Sequence, residues 1–120
     1  MEISWKYTRC EPDPTIVDAA TGKLRKLERL LPNPEAALAS FELERAVGGQ
    51  KTGDVWRAEL TVRHHGATYR AESTKAKLDH ATTTVLRDVA DEIRRARKRE
   101  GDEKRRGSSI VKALLRGFGS

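Results

Sequence analysis

Three histidines, one cysteine and a glycine pair are the residues of this 120-residue chain whose types suggest covalent or metal chemistry. His64 and His65 are adjacent, and His80 invites a metal or acid–base reading with them. Neighbouring residues of a strand point to opposite faces, so His64 and His65 are not expected to hold one ion together. Cys10, beside Arg9, reads either as a mildly activated thiol or as a plain small residue at a strand end. A lone cysteine allows no internal disulfide and no cysteine cluster for zinc. Gly48-Gly49 is not directly followed by the Lys-Ser/Thr that completes a phosphate-binding loop, because Gln50 intervenes before Lys51-Thr52. With no carboxylate pair and no nucleophile motif, no catalytic residue, metal or cofactor is expected, and the chain reads as a non-enzyme.

Its cations offer a different chemistry. The formal net charge is +6, and it is unevenly placed. Residues 94–120 hold ten bases, among them Arg94, Arg95, Arg97, Lys98 and Arg99, against the three acids Glu100, Asp102 and Glu103. The preceding 93 residues are close to neutral, with 14 bases and 15 acids. A neutral domain with a basic arm points to a polyanionic partner, or to a solvated tail kept for solubility. A second row, Lys23, Lys26 and Arg29 with Arg25 nearby, recurs at three-residue spacing, which phosphates can bridge. Salt bridges within a surface helix are the competing explanation, Lys23 or Arg25 pairing with Glu28 or Glu11. Lys75 and Lys77 are expected in the first turn of a helix, where the macrodipole disfavours positive charge and an anion would relieve it.

These residues need elements to position them. Ile3, Trp5 and Tyr7 alternate with Ser4, Lys6 and Thr8 as in a half-buried strand, not a signal peptide. Asp13-Pro14 offers an N-cap and a first-turn proline. Val17, Ala20, Leu24, Leu27 and Leu31 then form one helical stripe, ended by Pro32-Asn33-Pro34. A second strand is expected from Leu38 to Val47, with Phe41, Leu43 and Val47 on one face. Residues 48–54 read as a flexible connection. The third strand sets Trp56, Ala58, Leu60 and Val62 opposite Arg57, Glu59, Thr61 and Arg63. His65-Gly66 turns into a fourth strand carrying Ala67, Tyr69 and Ala71. A long helix is expected from about Thr74, with Leu78, Thr82, Val85, Leu86, Val89, Ile93 and Ala96 inward, weakened or ended at Gly101. The fold class is α+β, in the order β-α-β-β-β-α. One face of the four-stranded sheet should be wet, and both helices should cover the other. The domain spans residues 1–99, and residues 100–120 form a basic flexible tail with an apolar patch at 110–115. No stretch is long and apolar enough to cross a membrane, and a cytoplasmic location is expected.

This order resembles the ribosome hibernation-promoting factors, in particular their short form. So do Asp13-Pro14-Thr15-Ile16 opening the first helix and Lys23-Leu24-Arg25-Lys26-Leu27-Glu28-Arg29 closing it. Arg57-Ala58-Glu59-Leu60-Thr61-Val62 and, after a glycine turn, Tyr69-Arg70-Ala71-Glu72 are also similar, over residues 2–99 in all. The resemblance implies a protein on the small ribosomal subunit near the decoding centre, blocking translation with basic residues of both helices on rRNA. By position, Lys23, Lys26, Arg29, Arg95 and Arg99 match the family's basic sites. Two departures stand out. Asp88-Val89-Ala90-Asp91 replaces a Lys-Leu-Glu-Arg run, and Lys77-Leu78-Asp79 replaces an acidic, aromatic opening of the second helix. The long form's dimerisation domain is missing, so a monomer off the ribosome is expected, with no membrane and no small-molecule substrate. Two rivals remain: a double-stranded RNA-binding domain, which the strand at residues 3–8 argues against, and a protein-interaction module docking through residues 110–115.

Overall fold

The alternation at the start of the chain becomes β1 (Glu2–Thr8), and the Asp13-Pro14 signal becomes the start of α1 (Pro14–Glu28). The computed structural model describes residues 1–46 and 55–118. One Asp13 carboxylate oxygen accepts from the amides of Thr15 at 3.0 Å and Ile16 at 3.4 Å, satisfying donors that the first helical turn leaves unpaired. A 3-10 turn (Pro34–Ala36) leads into β2 (Leu38–Arg45), followed by β3 (Trp56–His64), β4 (Ala67–Lys75) and α2 (Leu78–Phe118).

The strands lie in the order β1-β2-β3-β4. β1 and β2 are parallel, with Trp5 opposite Phe41, and α1 supplies the crossover that parallel neighbours need. The other two pairs are antiparallel, with Phe41 opposite Leu60 and Leu60 opposite Ala71. His65 and Gly66 both have positive φ, 47° and 79°, as a two-residue hairpin of matching twist requires. The two helices cover one face. Leu24 and Leu27 of α1 and Val85, Val89 and Ile93 of α2 are buried against Phe41, Leu43, Leu60 and Val62.

Three boundaries differ from expectation. The second helix begins at Leu78, not Thr74, because Ser73, Thr74 and Lys75 complete the ladder opposite Ala58, Arg57 and Trp56. Lys75 is therefore a strand residue, and the dipole argument does not apply to it. The first helix closes at Glu28, ahead of the proline pair. Gly101 does not end α2, which continues to Phe118; a single interior glycine costs only about 1 kcal/mol relative to alanine. The expected strand residue Val47 and the connection at 48–54 lie outside the described residues.

The histidine geometry also differs. His65 sits in the turn, not the strand, so its ring meets that of His64 edge-on at 4.1 Å, not on the opposite face. Buried His64 has Nε2 3.3 Å from the Asn33 carbonyl. Among the described residues, no group of three or more His, Cys, Asp or Glu is arranged to hold a metal.

Candidate nucleic-acid interface

Three- and four-residue spacing brings Lys23 and Lys26 to the side of α1 that faces α2. There they meet Thr83, Arg87, Ala90 and Arg94 across a groove of about 280 Å³ floored by Leu27, Leu30 and Leu86. Lys23 Nζ donates to Thr83 Oγ1 at 3.2 Å and ties the two helices. Arg87 is a groove residue that the sequence reading misses, although its place seven residues before Arg94 is a helical signal. The acids beside it obscure that signal. Asp91 pairs with Arg94 at 3.2 Å, and Asp88 lies 3.8 Å from Arg87. Four cations thus line a groove with two carboxylates at its edge, and Lys23 and Lys26 form no ion pair among the described residues.

The remaining cations divide. Arg25 is turned away from the groove: it pairs with Glu28 and donates to the Met1 carbonyl at 3.1 Å, while Glu28 also lies 3.8 Å from the Met1 amino group. Arg97 donates to the Leu30 carbonyl, closing the end of α1 against α2. Arg29 caps α1 and is exposed. Arg95, Lys98 and Arg99 are exposed along α2, and Lys98 continues the row begun by Arg87 and Arg94. Lys75 and Lys77 lie outside the groove, near the start of α2, Lys77 just ahead of Leu78.

The open face of the sheet carries as much charge, arranged differently. Arg57 reaches Glu42 at 2.8 Å, Glu44 at 3.0 Å and Glu72 at 2.8 Å, and also pairs with Glu59. Arg70 holds Glu59 at 2.9 Å, Lys6 holds Glu42 at 3.3 Å, and Arg9 pairs with Glu44. The Arg57 hydrogen bond keeps Glu42 below its ordinary range, Arg70 does the same for Glu59, and the bond to Glu72 raises Arg57 further. These acids and bases neutralise one another. A polyanion would have to break that lattice, whereas in the groove Lys23 and Lys26 have no carboxylate partner among the described residues and Arg87 and Arg94 have one each.

No model of a known protein family matches the chain, and no curated protein matches it in sequence. Solved structures do. The N-terminal domain of Protein Y from Thermus thermophilus is 25% identical, with a TM-score of 0.63 over 79% of this chain and 98% of that one. A ribosomal subunit interface protein from Coxiella burnetii, 12% identical, has the same fold, with a TM-score of 0.63 over 82% of this chain and 99% of its own. The resemblance carried by the strand and helix order and by the Lys23–Arg29 run is thereby borne out: the chain is a structural relative of the ribosome hibernation-promoting factors.

Proposed function

We propose that this chain binds the ribosome through the ridge formed by α1 and α2, on rRNA of the small subunit near the decoding centre, and blocks translation there. The observation that carries the reading is the interhelical groove, where Lys23, Lys26, Arg87 and Arg94 converge over a shallow apolar floor. Its spaced cations suit successive phosphates, while the mutually paired sheet face does not. The likeness to Protein Y and to a ribosomal subunit interface protein supports the ribosome as the partner. Residues 1–99 form the ribosome-binding domain, and the cations beyond them extend its reach as a basic arm. The protein works as a monomer in the cytoplasm and needs no cofactor.

Cosedimentation with ribosomal particles tests the reading. Reversing Lys23, Lys26 and Arg87 together to Glu should leave melting nearly unchanged, because all three side chains are exposed. Binding should fall by about an order of magnitude or more. Unaltered cosedimentation of the reversed protein would refute the proposal. One observation favours a second reading. Ile110, Val111, Leu114 and Leu115 are 54–65% exposed on the far part of α2, as a protein-docking helix would present them. Binding that survives nuclease treatment and ignores salt would favour that alternative.

A further inference from the structure

At the end of the sheet where both helices begin, the inner face of the strands runs on past the core without being covered by other described residues. Arg45 and Trp56 form a cross-strand pair there. They open a basin of about 850 Å³ whose apolar lining includes Cys10, Ile16 and Leu78. The Arg45 guanidinium lies over the Trp56 ring, 5.9 Å from its centroid, at the outer limit of a cation–π contact and so easily displaced. Several polar groups at the rim are already committed. Asp13 caps α1, Asp79 accepts from the His80 amide, and Arg9 is held by Glu44 and by the Arg45 carbonyl at 3.2 Å. Arg45 and Lys77 form no ion pair among the described residues.

The basin is also continuous with the cationic groove. A middle depression between the helices shares Ile16, Leu78's neighbour Asp79 and the foot of α1 with the basin, and Lys23, Thr83 and Leu86 with the groove. From Ile16 to Lys26 along α1 the path is about 15 Å. We infer that the basin receives one unstacked nucleobase of a single-stranded RNA segment whose phosphates follow the groove. The base stacks on Trp56 in place of the Arg45 guanidinium, which swings outward onto the base's other face, and Lys77 meets the adjoining phosphate. An aromatic face and a guanidinium plane are the two platforms on which proteins hold splayed bases. A bare phosphate would leave the apolar wall unused, and a base kept in a duplex cannot enter.

This inference rests on the proposed RNA binding, and its test separates the two. Trp5, the other tryptophan, stacks on Phe41 at 5.0 Å away from the basin lining. In the full chain carrying Trp5→Phe, emission therefore reports on Trp56 alone. A single-stranded RNA hexamer should quench it saturably; an abasic ribose-phosphate hexamer and an RNA duplex should not. Trp56→Leu keeps an apolar side chain but removes the stacking platform, and it should weaken binding of a labelled hexamer about tenfold or more. Arg45→Gln, at an exposed position, should weaken it in the same direction without disturbing the fold. Equal quenching by the abasic hexamer, or hexamer binding indifferent to both variants, would overturn the inference. If ribosome cosedimentation still responded to reversal of Lys23, Lys26 and Arg87, only the basin would be lost. If that response were also absent, the ribosome-binding reading would fall with it.

Discussion

The ion-paired lattice on the open sheet face and the interhelical groove each contain four cations, yet they differ in what those cations already hold. On the sheet, Lys6, Arg9, Arg57 and Arg70 interlock with Glu42, Glu44, Glu59 and Glu72. In the groove, Lys23 and Lys26 pair with no carboxylate among the described residues, and only Arg87 and Arg94 share theirs with Asp88 and Asp91. The number of charges therefore does not locate an interface; their partners do. A lattice closed on itself stabilises the fold, and a row left open can exchange its counterions for phosphates.

The largest effect should come from crossing that distinction. Reversal of Lys23, Lys26 and Arg87 is expected to lower ribosome binding at least about tenfold. Arg70→Glu, one reversal on the sheet side, should leave binding within about twofold, since its charge belongs to an intramolecular pair. Cosedimentation measured side by side decides the matter. Equal losses would mean that charge alone, not its arrangement, draws the protein to its partner.

Stability should reverse the ranking. Arg57→Met removes the centre of the sheet lattice and leaves four clustered carboxylates with only the outer partners Lys6, Arg9 and Arg70. A loss of roughly 1.5–3 kcal/mol is expected, in the range of charged hydrogen bonds, with ribosome affinity of the folded protein unchanged. The acid response carries the same signature. Glu42 and Glu59 titrate below the ordinary value of 4.5 in the folded state. Their contribution is thus complete above 4.5 and is lost as pH falls through the lowered folded values. Melting of the native protein should hold from neutrality to about pH 5 and then decline. In Arg57→Met the carboxylates repel, and mild acid should relieve part of the damage. An acid profile that is the same in both proteins would show that the lattice contributes little.

Much of this contrast is legible in the sequence, though not evenly. Period-2 alternation in Ile3–Tyr7 and Trp56–Val62 assigns inner and outer faces correctly, and Asp13-Pro14 fixes the first helix at its start. What fails depends on distant partners. Ser73, Thr74 and Lys75 look like the opening of a helix, yet β3 recruits them into its ladder. Arg25 and Arg97 look like their neighbours in spacing, but one turns to the chain's first residue and the other to the Leu30 carbonyl. Arg87 becomes visible only when α1 lies beside α2. The sheet lattice likewise needs the register that sets Glu42 opposite Glu59 and Arg57 opposite Thr74.

A smaller effect is expected from the arm. Ending the chain at Glu103 removes Lys104, Arg105, Arg106, Lys112 and Arg116 but spares every buried residue of α2 and the hydrogen bond from Arg97 to Leu30. Melting should barely move. Ribosome binding should weaken a few-fold, and the slope of log K against log salt should flatten by about 0.7 for each phosphate no longer held. A lower affinity with an unchanged slope would assign the loss to the apolar residues Ile110–Leu115 instead, and so to protein docking.

The smallest effect asks whether ridge and arm act as one surface. Gly101 lies in α2 beyond its last buried residue, Ile93, and the helix continues through it. An added Cβ there would meet the Arg105 guanidinium at 3.5 Å, an ordinary contact with the end of a flexible side chain. Gly101→Ala should therefore strengthen the helix locally by about 0.5–1 kcal/mol, mainly by reducing the freedom of the unfolded backbone. Global melting should rise little, because the gain lies beyond Ile93 and the rest of the core. Amide exchange of residues 98–106 should slow several-fold, since that segment opens without unfolding the domain. If the arm binds as a rigid continuation of the Arg87–Arg94–Lys98 row, affinity should rise slightly with helicity. If it binds by bending back at Gly101, the same substitution should lower affinity while exchange still slows. That opposite sign would separate the arm from the ridge as a second, independently oriented contact.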